Sequence, residues 1–146
     1  MTHTVNISKL HPQAYKAQVA LDAATATAAA EAGLDPLLIE LIKIRVSQIN
    51  GCAFCLRMHT RDALAKGETI DRLSVVAAWW ESQYFSPQEQ AALAIAEQVT
   101  NLDVPARRSW DDGVLTDEQQ SAITWLAISI NSWNRIAIMS HYPVAP

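Results

Sequence analysis

The sequence has little that would suit a protein bound to nucleic acid or embedded in a membrane. Charged residues make up only 18% of its 146 residues, the formal net charge is −4, and the longest basic run is Arg107–Arg108. It therefore lacks the basic patch that attracts a polyanion or an anionic bilayer. Its apolar runs, such as Val75–Trp80, are far shorter than the roughly 20 residues of a membrane-spanning helix. We expect no nucleic-acid partner and no membrane partner.

We also expect no secretory signal, because the first residues show no charged segment followed by an apolar one. We therefore expect a cytoplasmic protein. Cysteine is scarce too, with Cys52 and Cys55 as the two in the chain. Structural disulfides are rare in the cytoplasm, so two closely spaced cysteines indicate redox chemistry or metal binding.

No segment shows the alternating pattern of a β-strand, and helical periodicity dominates. Half of the chain is hydrophobic, which is enough for a core without disulfide support. We predict an all-α fold of about six helices in a single domain, 1–146, with no linker or repeat. The predicted helices cover residues 12–32, 36–51, 52–67, 70–81, 86–99 and 116–140, and the stretch 101–113 is predicted to be looser.

Local signals mark several helix starts. Asp35 precedes Pro36 as an N-cap, and Ser86–Glu89 and Thr116–Gln119 have the form of capping boxes. The last helix is apolar on nearly every side, which predicts burial in the domain centre or between subunits. The five tryptophans suit cores and interfaces alike.

The most informative segment is Gly51–His59. Cys52 and Cys55 are three residues apart, so on a helix they share a face with Cα atoms about 5 Å apart, within the range of a disulfide. His59 follows Cys55 by four residues and falls on the same stripe. Gly51 places the pair at a helix N-terminus, where free N–H groups and the helix dipole stabilise a thiolate.

These residues are the parts that peroxide reduction needs. An imidazole can accept the thiol proton and later return it. One thiolate attacks the O–O bond and becomes a sulfenic acid, and the second thiol condenses with it to a disulfide. Helix-terminus reasoning favours Cys52 as the more acidic thiol. Glu40 lies in an otherwise apolar stretch, and this pattern alone places it at the solvated surface.

The spacing of these residues has a known counterpart. The order of these residues resembles the core motif of the AhpD-like alkylhydroperoxidases, which are often grouped with carboxymuconolactone decarboxylases. This order is Glu40, eleven residues, Cys52-x-x-Cys55, three residues and His59. The flanking segments 47–51 and 131–135 resemble this family too. The resemblance covers the chain from about residue 15 to its end.

The resemblance implies an AhpD-like helical bundle with the cysteine pair at a helix N-terminus, assembled as a homotrimer or homohexamer. It implies that Cys55 is the peroxidatic cysteine and Cys52 its resolving partner. His59 and Glu40 would form a proton relay, which moves Glu40 from the surface into the site. The substrate would be a peroxide and the electron donor a thiol or a lipoyl-bearing protein, with no cofactor or metal.

The chain departs from the best-studied branch at one position. Phe54 stands directly before the second cysteine, where that branch has a histidine. One member of the relay is therefore replaced, and we expect the pocket near Cys55 to be more apolar.

Several alternatives stay open at this stage. Cys52, Cys55, His59 and Glu40 could instead bind zinc. Thioredoxin-type dithiol chemistry is possible, although that fold needs strands. A carboxymuconolactone-decarboxylase-like lyase would not need the cysteine pair, and a non-enzymatic redox-sensing oligomer would share the same cysteines.

The remaining polar residues in apolar stretches are predicted to be structural. Asn131, Asn134 and Arg135 lie in the last helix and need hydrogen-bond partners if they are buried. The other histidines have no spacing relation to the cysteines, and we expect them at the surface: His3, His11 and His141.

Overall fold

The computed structural model describes residues 3–102 and 113–146, and within these residues the chain is helical, without strands. The predicted all-α fold is therefore confirmed. The predicted loose stretch 101–113 lies largely outside the described residues. The helices are α1 (Ile7–Leu10), α2 (Pro12–Glu31), α3 (Pro36–Asn50), α4 (Ala53–Ala65), α5 (Ile70–Ser74), a 3₁₀ helix (Val76–Glu81), α6 (Pro87–Asn101) and α7 (Asp117–Met139).

The predicted caps begin three of the long helices. The Asp35 side chain accepts a hydrogen bond from the Leu37 N–H (2.8 Å) at the start of α3. Ser86 and Thr116 each form a complete capping box at the start of α6 and α7. These bonds satisfy backbone donors that a helix start leaves without an intrahelical partner, so they set where each helix begins.

Two differences from the prediction involve contacts distant in sequence. The four-residue α1 was not predicted, and the Ile7 N–H donates to the Ser140 hydroxyl (3.2 Å). The predicted helix 70–81 is divided, because α5 ends at Ser74 and Val75 leaves helical geometry. The 3₁₀ helix that follows is itself kinked at Ala78. Trp79 is fully buried and its indole N–H donates to Glu97 (2.8 Å). We attribute the divided helix to this packing, which outweighs local periodicity.

Helix α3 lies at the centre of the fold, in contact with α4, α6 and α7, while α2 packs on α7. Its apolar residues Leu38, Ile42 and Val46 pack into a core cluster with Leu126 and Ile130 of α7. This packing holds the C-terminal end of α3 and the start of α4 on a rigid core, and the cysteine segment lies where these two ends meet.

Helix α7 is only partly buried within one chain. The side chains of Trp125, Ile138 and Met139 are exposed, although the opposite face of the helix lies in the core. Among the described residues, no helix combines the length and apolarity that crossing a membrane requires.

Candidate active site

The cysteine pair lies at the turn between α3 and α4. Gly51 ends α3 with a left-handed backbone (φ 69°), a conformation that glycine adopts without steric cost. Cys52 is the N-cap of α4, and its Sγ accepts a hydrogen bond from the Cys55 N–H (3.3 Å). The two cysteines form a disulfide with Cα atoms 5.4 Å apart. The prediction of a Cys-x-x-Cys pair at a helix N-terminus is confirmed.

A buried carboxylate–imidazole pair lies on the neighbouring turns. His59 is on α4, one turn after Cys55, and its Nδ1 is 2.9 Å from Oε2 of Glu40 on α3. Both side chains are buried, with Glu40 3% exposed. The surface position that the local pattern predicts for Glu40 is therefore wrong, because its partners come from another helix. The position that the family resemblance implies agrees with this geometry.

Glu40 is held as an anion by its surroundings. Burial alone raises its pKa, but hydrogen bonds from His59 and Lys66, together with the charges of His59 and Lys43, outweigh burial and lower the pKa to about 2. A carboxylate only accepts hydrogen bonds, so Nδ1 of His59 is the donor in this pair. In neutral His59 the Nε2 atom then carries the free lone pair and can accept a proton.

Two lysines near this pair were not predicted as site residues from the sequence. Lys66 donates to Oε1 of Glu40 (2.6 Å), and Lys43 lies one turn after Glu40 on α3. A signal for Lys66 was present, because it follows His59 by seven residues, or about two helical turns. Spacing alone could not indicate that it reaches across to α3.

Cys55 and His59 line one side of a cavity of about 370 Å³. Aromatic rings from other helices complete the wall, among them Tyr15 and Trp133. Phe54, which replaces the family histidine, contributes its ring and packs edge-on against Tyr142, with centroids 5.1 Å apart. The cavity beside Cys55 is therefore largely apolar, as expected from Phe54.

The structure arranges the potential metal ligands differently from the zinc site that the sequence leaves open as an alternative. Cys52 and Cys55 are joined to each other, which removes them as thiolate ligands in this state. Ligand atoms of Glu40, His59 and Asp62 lie within 4.8 Å of one another. The Lys66 ammonium already pairs with Glu40, and its charge opposes a second cation there. We assign no metal to this group.

Asn131 and Asn134 of α7, which are predicted to be structural, stabilise the turn between α3 and α4. Asn134 is fully buried and donates to the Ser47 hydroxyl (3.0 Å). Asn50 donates to both Asn134 (3.0 Å) and Asn131 (2.9 Å). Arg135 is exposed and donates to the Asn131 carbonyl (3.0 Å). The bonds made by Asn50 and Ser47 connect α7 to the last turn of α3, directly before Gly51, whereas the Arg135 bond lies within α7.

Comparison with known proteins identifies the family. Residues 12–98 match the profile of the carboxymuconolactone decarboxylase family. The chain belongs to this family. All four residues of the motif, Glu40, Cys52, Cys55 and His59, fall within the matched part of the carboxymuconolactone decarboxylase domain, which confirms the resemblance seen in the sequence.

Relatives of this carboxymuconolactone decarboxylase family member include two bacterial proteins. The uncharacterized protein YdfG of Bacillus subtilis (strain 168) is 37% identical over 144 residues, 94% of each chain. The uncharacterized protein YnjA of Escherichia coli (strain K12) is 34% identical over 64 residues, 44% of this chain and 35% of YnjA.

A solved structure matches nearly the whole fold. It is the crystal structure of a protein of unknown function from Agrobacterium tumefaciens, described as a candidate antioxidant defence protein AhpD. The two chains are 33% identical, superpose with a TM-score of 0.83, and match over 97% of this chain and 98% of that one. The AhpD-like fold of this carboxymuconolactone decarboxylase family member is therefore confirmed.

Proposed function

We propose that the protein is a thiol-dependent peroxidase, which reduces an organic hydroperoxide or hydrogen peroxide through a Cys52–Cys55 dithiol/disulfide cycle. The observation that carries the proposal is a buried disulfide one helical turn from the His59–Glu40 pair, beside a largely apolar cavity. The description of the Agrobacterium neighbour as a candidate antioxidant protein agrees with it.

In the proposed cycle, Nε2 of His59 takes the proton of the reduced Cys55 thiol, and the Glu40 carboxylate stabilises the resulting imidazolium. The thiolate attacks one oxygen of the peroxide, and the O–O bond breaks. The departing alkoxide takes the proton from His59 and leaves as an alcohol. Cys55 is then a sulfenic acid.

The second step forms the disulfide. The Cys52 thiol loses its proton as its sulfur attacks the sulfur of the Cys55 sulfenic acid, and the departing hydroxyl takes up this proton and leaves as water. Two electrons have then passed from the two thiols to the peroxide. The 5.4 Å between the two Cα atoms allows this step with little movement of the backbone, because it already lies within the range of a disulfide.

The proposal extends to location and assembly. A cytoplasmic location suits the cycle, because the thiols there are kept reduced. Assembly as a homotrimer or homohexamer would cover apolar side chains that are exposed in one chain, such as Trp125 and Ile138 of α7. Large aromatic residues are typical of such interfaces.

The experiment is an intact-mass measurement on the reduced protein before and after one equivalent of cumene hydroperoxide. The expected result is a loss of two hydrogens, about 2 Da, as the disulfide forms. With excess dithiothreitol, continued peroxide consumption identifies a peroxidase, whereas a single oxidation without turnover identifies a sensor. No mass change would refute the proposal and direct attention to a lyase reaction.

Two cysteine variants assign the roles. Cys52→Ser is expected to stop at the sulfenic acid, which dimedone traps on Cys55. Cys55→Ser is expected to lose peroxide-dependent turnover, and full turnover in this variant would refute the role of Cys55. Met58→Leu serves as the matched control, because Met58 lines the same cavity and is exposed, so that methionine oxidation is not mistaken for thiol oxidation.

A further inference from the structure

The two cysteines line different cavities. Cys55 lines the cavity of about 370 Å³ that also contains His59. Cys52 lines a second cavity of about 200 Å³. The cavities share a wall built from Phe54, Ala137 and Tyr142. We call them the Cys55 cavity and the Cys52 cavity.

The C-terminal tail shapes the Cys52 cavity. His141, Tyr142 and Val144 line it on one side and Ala53 on the other. The tail is held in place by hydrogen bonds between Tyr142 and Ser8 and from Arg57 to the Ala145 carbonyl (3.0 Å). The Cys52 cavity is therefore a formed feature of the fold.

The charges of the two cavities differ. Among the described residues, none that lines the Cys52 cavity is acidic, whereas Asp22 lines the Cys55 cavity together with Lys43. Along the described lining of its cavity, a thiolate that approaches Cys52 therefore meets no carboxylate.

We propose that the Cys52 cavity receives the electron donor, a small dithiol, whose thiolate attacks Sγ of Cys52. This inference rests on the dithiol cycle of the proposed function. A thiolate must approach a disulfide along the S–S axis, from the side away from the sulfur that leaves. In this proposal the attack on Cys52 comes from the cavity that Cys52 lines, and Cys55 is the leaving sulfur.

The leaving sulfur is well placed for this step. Exchange is faster when the leaving thiolate is stabilised, and Cys55 lines its cavity together with His59, whose protonated ring stabilises a departing thiolate. The S–S bond breaks, and a mixed disulfide forms between the donor and Cys52. The second donor thiol then attacks the donor sulfur of this bond. Cys52 leaves as a thiol with the proton of that second donor thiol, the Cys55 thiolate takes up the proton that the first donor thiol released, and the donor leaves as a cyclic disulfide.

Under this arrangement the peroxide and the donor use separate cavities. Each half-reaction can then be blocked on its own by a bulky residue. Ala53→Trp would fill the Cys52 cavity, and Met58→Trp would fill the Cys55 cavity. Both positions are exposed, so the new ring does not have to enter the core. Ala65→Trp is the matched control, because Ala65 is exposed on the same helix and lines neither cavity.

The test measures the two half-reactions of each variant separately, by alkylation quench and mass. Reduction starts from protein oxidised with diamide and uses dithiothreitol, and oxidation uses cumene hydroperoxide. The quantity compared is the ratio of the rate constant for reduction to the rate constant for oxidation. In Ala53→Trp this ratio is expected to be lower than in Ala65→Trp by about tenfold or more. In Met58→Trp the same ratio is expected to rise.

The opposite pattern would overturn the proposal. Unchanged reduction in Ala53→Trp, together with slow reduction in Met58→Trp, would mean that the donor attacks Cys55. Should Ala53→Trp fold poorly, Val144→Trp fills the Cys52 cavity from the exposed tail and must give the same result. Because diamide forms the disulfide without peroxide, a failure of the peroxidase proposal appears in the oxidation data alone.

Discussion

Replacing Glu40 by Gln removes the charge behind His59 while keeping the shape of the side chain. The carboxylate accepts hydrogen bonds from His59 (2.9 Å) and Lys66 (2.6 Å). A buried hydrogen bond to a charged group contributes about 1.5–3 kcal/mol. If this interaction stabilises the imidazolium that forms as Cys55 loses its proton, its loss slows oxidation by about 10- to 100-fold.

The same variant changes how stability depends on pH. The pKa of Glu40 in the folded protein is about 2, against an ordinary value of 4.5. A lowered carboxylate pKa gives stability that is present above pH 4.5 and is lost as the pH falls toward 2, here roughly 3 kcal/mol. Gln cannot titrate, so Glu40→Gln is expected to be less stable at pH 7 and to lose less stability between pH 4.5 and 2.

Two measurements check this prediction. Oxidation of the reduced protein by cumene hydroperoxide at pH 7 gives the rate, and urea unfolding at several pH values gives the free energy of unfolding. Glu31→Gln is the matched control, since Glu31 is an exposed residue at the end of α2. Equal oxidation rates in both variants would refute the relay. An equal loss of unfolding free energy between pH 4.5 and 2 in both variants would refute the lowered pKa of Glu40.

Three further predictions concern the surroundings of the pair. Gly51→Ala is expected to cost about 1–2 kcal/mol in urea unfolding, because the left-handed backbone is strained for alanine although the space is open; an unchanged midpoint would contradict this. Asn134→Leu is expected to cost about 1–3 kcal/mol in the same assay, since Ser47 and Asn50 lose a buried partner; a neutral effect would contradict the bracing role. Phe54→His is expected to raise the oxidation rate with hydrogen peroxide relative to cumene hydroperoxide, because the cavity becomes more polar, and a fall in this ratio would contradict it.

Helix starts could be predicted from the sequence where a local hydrogen bond determines them. Asp35, Ser86 and Thr116 each bond to a backbone N–H two or three residues later, so the few residues around each start contain the whole signal. The divided helix at Val76–Glu81 could not be predicted in this way. We link it to the burial of Trp79 and its bond to Glu97, 18 residues further along the chain.

The site residues also differ in whether local sequence is enough to place them. Cys52, Cys55 and His59 lie within eight residues, so their common position follows from helical geometry alone. Glu40 could be placed only through the family spacing, because a carboxylate in an apolar stretch is buried or exposed according to partners elsewhere. Those partners, His59 and Lys66, lie 19 and 26 residues away, and no local pattern contains them.

Helix-terminus reasoning favours Cys52 as the more acidic thiol, whereas the family resemblance favours Cys55 as the peroxidatic cysteine. The two views agree if each cysteine needs a thiolate at a different step. Cys52 has the N-cap position and the Cys55 N–H, which stabilise a thiolate for attack on the sulfenic acid. Cys55 has His59 and, through it, Glu40, and these two residues would serve the proposed attack on peroxide. In the proposed cycle, Glu40→Gln should therefore slow formation of the sulfenic acid much more than its conversion to the disulfide. Equal slowing of both steps would mean that one relay serves both cysteines.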